Sequence, residues 1–139
     1  MAYSYGFEKL AVWQMSRQFA KNLYLHTKSF PKEEQFGITA QLRRAAVSIA
    51  CNLAEGSARF SSRDKSRFYQ IAYGSAVEVV NLLIISTDLE LLPEDAYTSL
   101  RREIENLTYH INQLVQNLNN GVQEPDVIYG DPFRSVEPE

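Results

Sequence analysis

The chain has almost no cysteine: Cys51 stands alone among 139 residues, so no intramolecular disulfide can staple the fold. Histidine is nearly as scarce, and Leu23 and Leu107 stand three residues before His26 and His110. A carboxylate-bridged metal site in a helical bundle needs Glu-x-x-His pairs on facing helices, so no metal or other cofactor is expected, and both histidines read as helix-surface or helix-end residues. Long apolar runs are missing too. The longest, Ala76 to Ile85, carries Glu78 and Asn81 and falls short of the ~20 residues of a membrane span. The opening MAYSYGFEKLAVWQMSRQ has no basic stretch followed by an apolar run of signal-peptide length. A reducing cytoplasm is the expected location, with no membrane as partner.

The phosphate-cradling and hydrolase patterns GxxxxGK[ST], GxGxxG and GxSxG are absent as well. Cys51, with Ala50 and Ala54 close by, reads as a small residue required by close helix packing, because a nucleophile needs an adjacent base and positive surroundings. Without a paired acid and base, a metal or a nucleophile, the chain is not expected to be an enzyme or to take a small-molecule substrate.

What the sequence does have is helical periodicity and, at 45% apolar residues, enough material for one core. A first helix is predicted from about Phe7 to Lys28, with Leu10, Trp13, Ala20, Leu23 and Tyr24 on one face. Ser29-Phe30-Pro31 ends it, and Lys32-Glu33-Glu34 forms a short turn. A second helix follows along Ile38, Leu42, Ala45, Ile49 and Leu53, with Gly56 as a left-handed stop. Ser61 and Asp64 resemble a capping arrangement for a third helix starting near Ser62. Phe68, Ile71, Ala72, Ser75, Val79, Leu82, Ser86 and Leu89 trace its stripe, and Val77, Val80, Leu83, Ile84 and Ile85 widen it. So broad an apolar surface predicts either a central helix or one that also lines a subunit interface. After Pro93 the fourth helix repeats Tyr97, Leu100, Ile104, Leu107, Ile111, Leu114 and Leu118 in steps of three and four, a coiled-coil-like seam. The expected fold is an all-α, antiparallel, up-and-down four-helix bundle over residues 1–120. Residues 121–139 hold three of the five prolines and no periodicity, and are expected to form an extended or disordered tail.

Charge is unevenly spread. The net charge is −3, yet five carboxylates against Arg134 leave the tail at −4 and the bundle at +1. Between residues 43 and 67, Arg43, Arg44, Arg59, Arg63, Lys65 and Arg67 outnumber Glu55 and Asp64 by four. With Phe60, Phe68 and Tyr69 nearby, this zone combines guanidinium groups and rings as single-stranded RNA platforms do. A solvated helix face with internal salt bridges is the competing reading. Ser48 and Asn52 fall near the apolar face of the second helix, where an unpaired amide costs about 1–3 kcal/mol, so a helix-to-helix hydrogen bond fixing register is expected. Glu78, within the broad third helix, calls for a counter-ion such as Arg44.

The stretch QLRRAAVSIACNLAEGSARFSSRDKSRFYQIAYGSAVEVV, residues 41–80, resembles the 23S rRNA intervening-sequence protein family, with FEKLAVWQMS and FPKEEQFGITAQ agreeing on its amino-terminal side. The resemblance spans about residues 7–119. It implies a bacterial origin, an antiparallel four-helix bundle and a ring-like homopentamer. Arg44, Ser48, Asn52, Glu55, Gly56, Gly74, Ser75 and Glu78 match the family signature and look mainly architectural. A related branch, the accessory variability proteins of diversity-generating retroelements, binds a reverse transcriptase and nucleic acid through a basic ring surface. Tyr73 stands where many relatives place a basic residue. The expectation is an oligomer that binds RNA, DNA or a nucleic-acid enzyme through Arg43, Arg44, Arg59, Arg63, Lys65 and Arg67. The alternative is a protein-interaction scaffold that uses the third helix and the tail and binds no nucleic acid.

Overall fold

The computed structural model describes residues 2–121, so all but the first residue of the expected tail lies outside it. Four helices, α1 Ala11–Thr27, α2 Ile38–Ser57, α3 Ser62–Asp88 and α4 Glu94–Asn119, are joined by short connectors, and no strand occurs among the described residues. Each helix packs on its two neighbours in a closed cycle, α1 on α2, α2 on α3, α3 on α4 and α4 back on α1. Ser48 meets Ser75 and Gly56 meets Tyr69, so numbers fall along α3 as they rise along α2, and the two run antiparallel.

α2 and α4 follow their periodicity closely. Ile38, Leu42, Ala45, Ile49 and Leu53 are buried on α2, and Leu100, Ile104, Leu107, Ile111, Leu114 and Leu118 on α4. Tyr97 packs at the edge of that seam. Its hydroxyl accepts from Arg101, which also donates to Glu105 at 2.9 Å, and the two bonds, Glu105 foremost, raise the guanidinium pKa above its ordinary value.

α1 departs from expectation. A 3-10 turn, Gly6–Lys9, precedes it, and extended Leu10 breaks what would have been one helix from Phe7. The Tyr5 amide donates to the Glu8 carboxylate at 2.7 Å, and the break lets the Leu10 side chain drop into the core. The buried seam is Val12, Ser16, Phe19, Leu23 and Thr27, one residue back from the predicted Trp13, Ala20 and Tyr24. Trp13 stays at the core's edge, against Phe7.

The α3–α4 corner is built without glycine. Glu90 adopts a left-handed φ of 59°, while the Glu90 amide donates to the Thr87 carbonyl at 3.0 Å and the Leu91 amide to the Ser86 carbonyl at 2.9 Å. This Schellman pattern closes the last turn of α3 and sends Leu92 into the core. The sequence offered Pro93 as the break, yet the helix stops at Asp88.

α3 is not central. Ser66, Tyr69, Ala72, Ala76, Val79, Leu82, Leu83 and Ser86 are buried, but Ile71, Tyr73, Val77, Ile84, Ile85 and Leu89 are exposed. Of the two readings of its broad apolar surface, the first is ruled out within one chain. By length and composition alone, one 18-residue window of α3 is apolar enough to cross a membrane, and a third of that window is buried against the bundle.

Candidate nucleic-acid interface

α2 ends at Ser57, and four residues later Ser61 caps the start of α3, its hydroxyl accepting from the Asp64 amide at 3.1 Å. Serine at this position replaces a missing helix hydrogen bond, and its extended backbone turns the chain sharply. Lys65 ties the corner from the other side, its ammonium donating to the Ser57 carbonyl at 2.8 Å, where α2 leaves acceptors unpaired.

Within this frame Arg59 and Arg67 share one ring. Their guanidinium carbons lie 4.4 Å and 5.2 Å from the centroid of Phe68. Each such contact contributes ~0.5–1 kcal/mol at an exposed site, which helps hold two positive groups close together. Arg63 and Arg67 border an open hollow on α3 with Asp64, Ser66, Gln70 and Ile71. Phe60, at the apex of the turn, is fully exposed.

The six basic residues of the sequence zone do not form one surface. Arg43 donates from Nε to Thr27 Oγ1 at 3.0 Å and from Nη2 to the Tyr24 carbonyl at 3.3 Å, with its guanidinium 4.4 Å from the Tyr24 ring centre. It ties α2 to the end of α1. Arg44 borders the neighbouring hollow with Tyr24, Phe36 and Val47. With a rise of 1.5 Å per helical residue, this pair lies roughly 20 Å from the α2–α3 corner. Arg59, Arg63, Lys65 and Arg67 therefore make the candidate interface.

The signature residues divide likewise. Ser48 and Ser75 hydroxyls lie 2.9 Å apart across α2 and α3, and Asn52 donates to the Ser48 carbonyl at 2.9 Å and to its hydroxyl at 3.1 Å. The register bond expected of Asn52 is thus made by Ser48, with Asn52 holding it. Gly56 is no left-handed stop: it is buried inside α2, and a Cβ there would meet the Tyr69 ring at 2.6 Å. A Cβ on Gly74, by contrast, would meet nothing within 4 Å. Glu55 and Glu78 are exposed, and no ion pair joins Glu78 to Arg44, so the expected buried counter-ion pair is absent. Its premise failed because residue 78 falls on the outer side of α3, where water solvates the charge.

Sequence reasoning overlooked the aromatic amino terminus. Tyr3 and Tyr5 rings are 4.9 Å apart edge to face, Tyr5 and Phe7 are stacked at 6.2 Å, and Phe7 meets Trp13 at 4.9 Å. Gly6 passes close to Ser57, so this segment lies at the bundle end that carries the basic corner. The alternation of rings at 3, 5 and 7 was the available signal.

Among the described residues no three His, Cys, Asp or Glu side chains gather as metal ligands. Residues 8–113 match the model of the 23S rRNA-intervening sequence protein family. The chain belongs to this family. No curated protein matches it. A crystal structure of a protein of unknown function from the S23 ribosomal protein family of Bacteroides thetaiotaomicron VPI-5482 aligns with a TM-score of 0.70 at 20% identity, over 76% of this chain and 99% of that one. At that identity the likeness of this 23S rRNA-intervening sequence family member to its neighbour is one of fold alone.

Proposed function

We propose that this protein is a non-enzymatic, self-associating bundle that binds RNA at the α2–α3 corner. The observation that carries the reading is the pairing of Arg59 and Arg67 on the Phe68 ring, with Arg63 beside them and Phe60 in solvent. Charge held close to aromatic surface suits phosphate and base together. Self-association is supported by the exposed Tyr73, Val77 and Ile84 on α3, which follow helical steps of four and seven and offer an apolar stripe. A ring of five subunits, as the family resemblance implies, would repeat the basic corner around one rim.

Light-scattering mass coupled to size exclusion, with and without RNA at low and moderate salt, tests the proposal. A multi-subunit particle that gains mass with RNA and loses it as salt rises is the expected result. A particle indifferent to RNA supports the second reading, a protein-interaction scaffold that uses α3 and the acidic tail and binds no nucleic acid. A monomer at all concentrations removes the self-association.

A further inference from the structure

Phe60 is 104% exposed, at the apex of the turn between two packed helices. Leaving a phenylalanine in water forgoes about 1.5–3 kcal/mol of burial, which a partner covering the ring would recover. The three aromatic residues of this corner differ in availability. Tyr69 is fully buried, and Phe68 is occupied by Arg59 and Arg67. Only Phe60 offers an open face. A second ring stands at the same bundle end, because Gly6 passes Ser57 and its neighbour Tyr5 is 61% exposed, with Phe7 stacked on it and Tyr3 edge to face beside it.

We infer that the corner is selective for single-stranded RNA, with Phe60 as the stacking platform for an unpaired base, Tyr5 as a second platform, and Arg59, Arg63 and Arg67 on the phosphates. This inference rests on the RNA-binding reading above and specifies the strand form. In an A-form duplex the base faces are covered by their neighbours, so only shape and backbone are available to a protein. A fully exposed ring gains nothing from such a surface, whereas an unpaired base can lie on it. Guanidinium groups held over Phe68 have N–H donors to offer phosphate oxygens, which sets charge and ring side by side.

The test is anisotropy titration of a labelled unstructured RNA and of the same sequence in duplex, with the full-length protein, its Phe60→Ala, Phe60→Leu and Phe60→Trp variants, and a scattering mass for each. One base stacked on an aromatic ring is worth about 1–3 kcal/mol, or roughly 5- to 150-fold in Kd. The expected result is preference for the single strand, a loss of that size in both Phe60→Ala and Phe60→Leu, and retention in Phe60→Trp, with no change in salt slope or subunit number. Equal loss in Phe60→Trp, or equal wild-type affinity for both RNAs, overturns the stacking inference while leaving the basic corner. A change in subunit number with Phe60→Ala overturns it too, assigning Phe60 to a contact between copies. Failure of the wild type to bind either RNA ends both readings.

Discussion

The Tyr69 ring occupies the space that a side chain on residue 56 would need: a Cβ on Gly56 would fall 2.6 Å from its Cε1 and 2.8 Å from its Cδ1. Phe68 Cβ closes the same gap at 3.0 Å. This contact brings α2 and α3 together just below the turn that carries Arg59 and Phe60, so the geometry of the corner depends on a missing methyl group.

We therefore predict that Gly56→Ala destabilises the fold despite alanine's better helix propensity. Propensity favours alanine by up to ~1 kcal/mol, but overpacking against a fully buried ring costs about 1–3 kcal/mol. A denaturant melt should show a net loss, and the variant should bind RNA less well if the corner is displaced. An unchanged midpoint would mean the helices separate easily here.

Glu90→Gly should act in the opposite direction. A left-handed φ of 59° strains a residue with a Cβ by ~1 kcal/mol or more, while glycine's larger unfolded-state entropy returns part of that gain. The expected stabilisation is a few tenths to about 1 kcal/mol. Chemical denaturation with an unaltered m-value would confirm it.

The hydroxyl pair Ser48 and Ser75 should behave as a unit. Either serine-to-alanine change leaves its partner short of one hydrogen bond and costs roughly 0.5–1.5 kcal/mol, and the double variant should cost less than the two singles added. Additive losses in the cycle would show that the 2.9 Å contact carries no stability.

On the outer face of α3, lysine at Val77 and Ile84 together should convert an oligomer to smaller species without unfolding it. Both side chains are exposed within one chain, at 48% and 42%, so the isolated bundle loses little. Light scattering and circular dichroism on the same sample separate dissociation from unfolding. Unchanged mass would move the subunit contact elsewhere.

Charge gives the last prediction. Truncation after Gly121 removes a segment of charge −4 and leaves the remaining chain at +1. RNA retention on a filter should then persist to higher salt, whereas Arg63→Glu with Arg67→Glu should lower retention and flatten its salt dependence. If truncation weakens retention instead, the segment contributes to binding rather than opposing it.

Much of this architecture was legible in the chain. Strict three-and-four spacing located α2 and α4, and the Ser61–Asp64 spacing located the start of α3. The misreadings have separate causes. Glycine often ends helices, but the role of Gly56 is set by Tyr69, thirteen residues on and across a helix interface. Glu90 carried no turn signal at all, since a left-handed residue is recognised in sequence only when it is glycine or asparagine. Trp13 looked like core because it fits the period, yet the extended backbone at Leu10 rotates the seam by one residue.

Six basic residues within 25 positions read as one patch, and only packing divided them. Periodicity is a local property: it states which residues share a face of one helix, so the sequence by itself determined four helices, their buried seams in outline and the absence of known catalytic patterns. Which faces meet depends on side chains far apart in the chain filling one another's space. Tertiary structure alone therefore assigned Arg43 to the end of α1, placed Arg59 and Arg67 on Phe68, and brought Tyr5 to the end of the bundle where Phe60 lies open.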